Sequence, residues 1–206
     1  MNKFLCLFVF LSCSLFSYSQ ERKIQISAHA GFFKAGNYPH IDLGNSYGMD
    51  VSYFLSKHFF LTAHFNYGEN GYYYYDDSSF IYSGNMNSTE IMNNVGLLAG
   101  YYQPVTQWGN ITGQIGFAQI IEVTRRPSNM RVYRPDSQVY ERIEYEHAMF
   151  SASFPVKFSI GITPFKKLNI NVVKNIEIAY TYGWYIEPDF GFFTGIYHGP
   201  QLSVSF

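Results

Sequence analysis

Phe150-Ser151-Ala152-Ser153-Phe154-Pro155-Val156-Lys157-Phe158-Ser159-Ile160-Gly161-Ile162 alternates over its whole length. Phe150, Ala152, Phe154, Val156, Phe158, Ile160 and Ile162 fall in one phase. Ser151, Ser153, Lys157, Ser159 and Gly161 fall in the other. A period of two sends successive side chains to opposite faces of an extended chain, whereas an amphipathic helix repeats every ~3.6 residues. The segment reads as a strand with one apolar and one polar face.

Working outward, the same pattern occurs eight times in all. Its apolar sets are Ile24, Ile26, Ala28, Ala30, Phe32; Tyr47, Met49, Val51, Tyr53, Leu55; Phe59, Leu61, Ala63, Phe65, Tyr67; and Val95, Leu97, Ala99, Tyr101. Beyond these come Ile111, Ile115, Phe117, Ile121, then the segment quoted above. Ile176, Ile178, Tyr180, Tyr182, Trp184 and finally Leu202, Val204, Phe206 complete the series. The opposite phase is filled by Gly, Ser, Thr, Asn and Gln with isolated charges. Water-facing strands of soluble sheets carry more Lys and Glu, so this phase suits a narrow, side-chain-filled lumen and the apolar phase suits lipid.

Composition agrees. The 206 residues are 14% charged and 20% aromatic, against about 25% charged in an average soluble domain. Disordered chains are aromatic-poor, which excludes that class. The net charge of −1 gives no electrostatic case for nucleic acid. A soluble lipocalin-like barrel would need a charged exterior that this composition hardly supplies.

The spacing of the strands adds a second argument. Long connections at 34–45, 69–90, 125–144 and 185–195 alternate with tight ones at Ser56-Lys57 and Gln103–Gln107, while 163–175 fits neither class. Short turns at one end and long loops at the other are the plan of a membrane barrel. Tyr53, Phe54, Phe59, Phe60, Tyr101, Tyr102 and Trp108 sit near the short turns. Tyr47, Phe65, Tyr67, Tyr182 and Trp184 sit near the long loops, as two interfacial belts would. The predicted fold is all-β: an eight-stranded antiparallel up-and-down transmembrane β-barrel over 20–206.

Residues 1–19 read as a signal peptide. Lys3 precedes the apolar run Phe4–Leu11, and Ser17 and Ser19 suit a cleavage site before Gln20. The rival is a lipoprotein signal with lipidated Cys13. Cys6 and Cys13 both lie here, so the mature chain has no thiol for a disulfide or a metal.

Signal peptide, eight alternating strands and the ending Tyr197-His198-Gly199-Pro200-Gln201-Leu202-Ser203-Val204-Ser205-Phe206 resemble the small outer-membrane β-barrel proteins of the OmpA/OmpX-like group, in their Bacteroidetes-type form. The resemblance implies an outer-membrane location among lipid and lipopolysaccharide. It also implies that Gly199, Leu202, Val204 and Phe206 are read by the barrel-assembly machinery. Pro200 departs from a clean strand, since it cannot donate to the ladder.

Three sets of residues are candidates for function. His29, Asp50, His64, Glu122, Lys157 and Glu177 fall in the polar phase and are expected to form a lumen network. Opposite charges in it would pair where water is scarce. Arg125, Arg126, Arg131, Arg134 and Arg142 concentrate in one connection, where arginine forks could hold phosphates, those of lipopolysaccharide included, or an acidic partner. The bland alternative pairs them with Glu141, Glu144 and Glu146. Tyr72–Tyr75 could form an adhesive loop for a surface or host ligand, or extend a strand. For catalysis the best base is His147, near Glu144, Glu146 and Ser151, but no G-x-S-x-G or H-E-x-x-H pattern accompanies it. The expected function is structural or surface-binding, without cofactor or metal. A lipid-modifying barrel enzyme and a small-solute channel are the alternatives.

Overall fold

The computed structural model describes residues 23–35, 43–74, 86–134, 139–170, 173–187 and 191–206. The signal segment, with Cys6, Cys13 and the cleavage site after Ser19, lies outside the described residues. The strands are β1 (Ile24–Ala35), β2 (Gly44–Phe54), β3 (Phe59–Tyr74), β4 (Met86–Pro104), β5 (Gly109–Arg134), β6 (Val139–Ile170), β7 (Val173–Glu187) and β8 (Gly191–Ser205). Each pairs antiparallel with its neighbours in the chain, and β8 pairs with β1, so the sheet is a closed eight-stranded barrel.

Alternation sets the faces. Ile26, Met49, Leu61, Leu97, Phe117, Ile160 and Leu202 all point outward and are exposed, Leu97 at 72% and Phe117 at 69%. Their sequence neighbours Ser27, Asp50, Thr62, Leu98, Ala118, Ser159 and Ser203 are buried inside. A one-residue slip in any strand would exchange these two sets, so the pattern fixes the register.

Strand lengths depart from the expected connections. β3 continues through Tyr72, Tyr73 and Tyr74, which pair with Ser88, Asn87 and Met86. The tyrosine run therefore extends a strand, and Tyr75 with Asp76-Asp77 lies outside the described residues. β5 and β6 continue as a paired ribbon through most of 125–144, with an irregularity between Pro127 and Arg131. Within 163–175, residues 163–170 continue β6 and 173–175 begin β7, with Phe165 opposite Ile176 and Ile170 opposite Val173. The backbone satisfies its hydrogen bonds by pairing wherever a partner strand is in reach, even after the apolar phase has faded.

The seam between β8 and β1 is the closing step. Gln201 pairs with His29 and His198 with Phe32, while Gly199 and Pro200 face Ala30 and Gly31 without a ladder pair. Pro200 has no N–H to give. Gly31 and Gly199 let the two backbones approach there, since a Cβ on either would run into the carbonyl oxygen of His198 or Ala30. Beyond the strand, Phe206 N donates to Ile24 O at 2.8 Å and Lys23 N donates to Phe206 O at 3.1 Å.

Gly199→Val is expected to destabilise the barrel by ~1–3 kcal/mol, the usual cost of overpacking. Gly113→Ala, whose Cβ would meet open space, should leave the urea unfolding midpoint of the same protein unchanged. Equal midpoints for the two variants would contradict a tight seam.

Candidate functional site

The lumen is stacked in tiers. Nearest the short turns, Phe54, Phe60 and Tyr102 are buried together, with the Phe54 and Phe60 rings 5.0 Å apart. These three were expected in the interfacial belt. They belong to the polar phase of their strands, and that phase turns them inward next to outward Tyr53, Phe59 and Tyr101. At the opposite end, Phe33, Met92, Ile120, Tyr185 and Tyr197 form a second buried cluster.

Between the two aromatic tiers lies a charged centre. Lys157 Nζ, on β6, donates to Asp50 Oδ2 on β2, across the lumen. His64 Nδ1, on β3, is 2.7 Å from Asp50 Oδ1. A carboxylate paired with an ammonium only accepts, so His64 Nδ1 carries the proton. In the neutral ring Nε2 then accepts from the Tyr185 hydroxyl, 3.4 Å away. His29 Nε2 donates to Asn66 Oδ1 at 2.8 Å, and Ser46 Oγ donates to the same oxygen at 2.9 Å. The rings continue the assembly upward: His29 stacks on Tyr197 at 5.1 Å and Tyr197 on Tyr185 at 5.4 Å.

Of the expected lumen residues, His29, Asp50, His64 and Lys157 therefore meet in one network. Glu177 is buried lower, lining a cavity of about 10 Å³ with Gln25, Ser27, Ser52, Gln114, Ser159 and Gln201 above Phe60 and Tyr102. Glu122 stands higher and is half-buried, opposite Met92 and Met149. Asn66, Tyr185 and Tyr197 were not anticipated. Their signal is a bulky or amide side chain in the polar phase of a strand, which a search for charges passes over.

Chemically, the centre is a brace. Asp50 and Lys157 are each about 1% exposed, and both ends are blocked by aromatic side chains. The cavity below holds roughly one water. The Asp50–His64–Tyr185 chain has the order of an acid–base relay, and all three residues are buried. His147 is exposed, with Nδ1 3.3 Å from Ala148 O, while Ser151 Oγ donates to Glu187 Oε1 at 2.8 Å. The His147–Ser151 pairing required for nucleophilic catalysis is thus not assembled. Among the described residues, no group of three or more His, Cys, Asp or Glu is placed to hold a metal ion.

Arg125, Arg126, Arg131 and Arg134 lie on β5 and Arg142 on β6, in the ribbon; their side chains lie outside the described set. The backbone register sets Arg125 across from Glu146, Arg126 across from Tyr145, and Arg131 across from Arg142. Gly199, Leu202 and Val204 lie on β8, Leu202 outward and Gly199 at the seam, with Phe206 just past the strand.

No protein-family model matches the chain, and no curated protein matches it. Among solved structures, it is similar to the N-terminal β-barrel domain of Pseudomonas aeruginosa OprF, at 11% identity and TM-score 0.47, covering 91% of this chain and 100% of that one. It is similar to Ail, the attachment invasion locus protein of Yersinia pestis, at 11% identity and TM-score 0.48, covering 90% and 98%. Neisserial surface protein A follows at 12% identity and TM-score 0.47, covering 89% and 97%.

Removing one partner of a buried ion pair strands the other. Lys157→Met should cost ~3–5 kcal/mol, and the double variant Lys157→Met with Asp50→Leu should recover part of that loss. Urea unfolding of the four proteins in a double-mutant cycle checks this. Additive losses would mean that Asp50 and Lys157 do not act as a pair.

Proposed function

We propose that the protein is an outer-membrane β-barrel with a packed lumen. In this reading its function is structural or surface-binding, and the β5–β6 ribbon presents arginines to phosphate groups such as those of lipopolysaccharide. The membrane part of the reading is supported by the outward face, where Leu97, Phe117, Phe150, Ile115 and Ile160 are each at least 58% exposed. Such a surface is stable against hydrocarbon and aggregates in water. Among the described residues no helix is long and apolar enough to cross a membrane, a fact that has no bearing on crossing by strands.

The observation that carries the binding reading is the register of the ribbon. β5 loses its β4 partner after Arg125, and β6 pairs with β7 only from Phe154 onward. The two-stranded part between them therefore stands beyond the barrel rim. There Arg131 lies directly across from Arg142. Like charges directly opposite on a ladder destabilise it. An anion shared by two guanidinium forks reverses that sign and gains charge-assisted hydrogen bonds. Arg125 instead has Glu146, a residue of opposite charge, across from it in the register. The same reading keeps residues 1–19 as a cleaved signal peptide and Gly199, Leu202, Val204 and Phe206 as the signal for the assembly machinery. The sealed lumen and the unassembled His147–Ser151 pair favour it over a solute channel or a lipid-modifying enzyme.

Two outcomes follow. Leu97→Arg should destabilise the protein refolded in vesicles by ~2–4 kcal/mol, the cost of arginine on a lipid face near the midplane; an unchanged stability would rule out hydrocarbon at that face. The Arg131→Ser/Arg142→Ser double variant should fold normally yet bind lipopolysaccharide roughly tenfold more weakly at low salt, with the difference shrinking as ionic strength rises. Undiminished binding by this variant, or equal binding to dephosphorylated lipopolysaccharide, would remove the ribbon from the function.

A further inference from the structure

The basic residues of the barrel are sorted by type between its two ends. Every arginine among the described residues lies on the ribbon at one end. Lys23, Lys57, Lys166, Lys167 and Lys174 lie at the other, where β2 turns into β3 and β6 into β7. Of the remaining described lysines, Lys157 is inside and Lys34 stands at the far end of β1 from Lys23. Acidic residues accompany the arginines, but the described ones away from that end are Asp50 and Glu177, both buried. Among the described residues, the short-turn rim therefore exposes positive charge alone.

The backbone joins these lysines into one arc. Lys57 occupies the turn between β2 and β3. At the foot of β2, Phe54 N donates to Lys23 O at 2.9 Å, and Lys23 N donates to Phe206 O at 3.1 Å. Ser205 of β8 pairs with Asn175, the neighbour of Lys174, and Asn175 pairs with Lys166 on β6. The turn between β4 and β5, with Val105 and Trp108, completes the rim and carries no charge. Lys23, Lys57 and Lys174 are exposed, and none of them forms an ion pair among the described residues.

Exposed apolar and aromatic side chains border the arc, Ile24 beside Lys23 and Tyr53, Phe59 and Tyr101 around the turn that holds Lys57. A lysine stem lies along such apolar surface while its ammonium reaches the polar layer beyond. The arc follows the edge of the apolar wall, and the lumen behind this edge is filled by Phe54, Phe60 and Tyr102. We propose that the lysine arc binds the phosphates of anionic phospholipid headgroups in the leaflet at the short-turn rim. The inference rests on the outer-membrane reading above. Charge complementarity selects the occupant. Separate, flexible point charges suit a fluid array of phosphates, whereas planar arginine forks suit one anion held in fixed geometry. Each lysine near an anionic surface adds to the attraction, which falls off within a Debye length.

The full barrel is refolded in phosphatidylcholine vesicles containing traces of spin-labelled phosphatidylglycerol or spin-labelled phosphatidylcholine. The fraction of each label immobilised against the protein gives their relative association. Phosphatidylglycerol should be preferred about two- to fivefold, and the preference should shrink as ionic strength rises. Lys23→Gln/Lys57→Gln/Lys174→Gln should bring the ratio close to one. Arginine at the same three positions should keep it, which covers the case in which the glutamine variant fails to fold. Arg131→Ser/Arg142→Ser should keep it as well. No preference in the unaltered protein, or a preference that survives the lysine-to-glutamine variant, would overturn the inference. A preference lost only with the arginine pair would assign it to the ribbon and overturn the inference equally. So would lysine-dependent co-sedimentation with purified peptidoglycan in the absence of any lipid preference, which would assign the arc to an acidic wall polymer. Failure to insert into any vesicle would overturn the outer-membrane reading and this inference together, whereas insertion without lipid preference overturns this inference alone.

Discussion

Closure of eight strands into one ring is the constraint from which the rest follows. A ring of this size leaves an interior only wide enough for side chains. Each inward residue must therefore fit against residues from strands across the lumen, and each inward polar group must find its partner there. Asp50 on β2 reaches Lys157 on β6, and Asn94 on β4 reaches Ser153 on β6 at 3.2 Å. These bonds link strands that share no ladder. They hold the cross-section in one shape, whereas the backbone ladder alone permits the ring to flatten.

The same narrowness explains why the lumen divides into tiers. Bulky apolar and aromatic side chains fill volume with few polar atoms to satisfy, so they suit the two ends. Phe54, Phe60 and Tyr102 close one, and Phe33, Met92, Ile120, Tyr185 and Tyr197 close the other. Sealing the centre lowers its effective dielectric, which strengthens the Asp50–Lys157 attraction and raises the cost of any group left unmatched. A lumen filled in this way among the described residues favours the proposed surface role over the passage of solutes.

How far this was legible depends on which physical signal each element leaves. The two faces were readable residue by residue, because only strict alternation separates Leu97 outside from Leu98 inside. The lumen charges were readable for the same reason, although their pairing was not: parity places Asp50, Lys157 and Glu177 on one side of the wall but says nothing about height or reach. Phe54, Phe60 and Tyr102 lie near turns, which suggests an interfacial belt, but they fall in the polar phase of their strands, and phase turns them inward. Strand ends are not legible where the apolar phase stops. Leaving an apolar surrounding removes the hydrophobic alternation but not the backbone's need for partners, so β5 and β6 stay paired through residues that look like loop.

In the proposed surface-binding role, recognition falls to the paired part of β5 and β6. A flexible loop would pay conformational entropy to gather several arginines around one anion. A paired ribbon has already fixed its backbone, and its register sets Arg131 opposite Arg142 before any ligand arrives. Like charges at directly opposite ladder positions disfavour the pairing, and the strands below this point are anchored in the barrel wall. In the proposed binding role, an anion bridging the two arginines would offset that like-charge pairing. The wall and the ribbon are continuous: ring closure holds β5 and β6 side by side, and that pairing sets the register on which the proposed binding role depends.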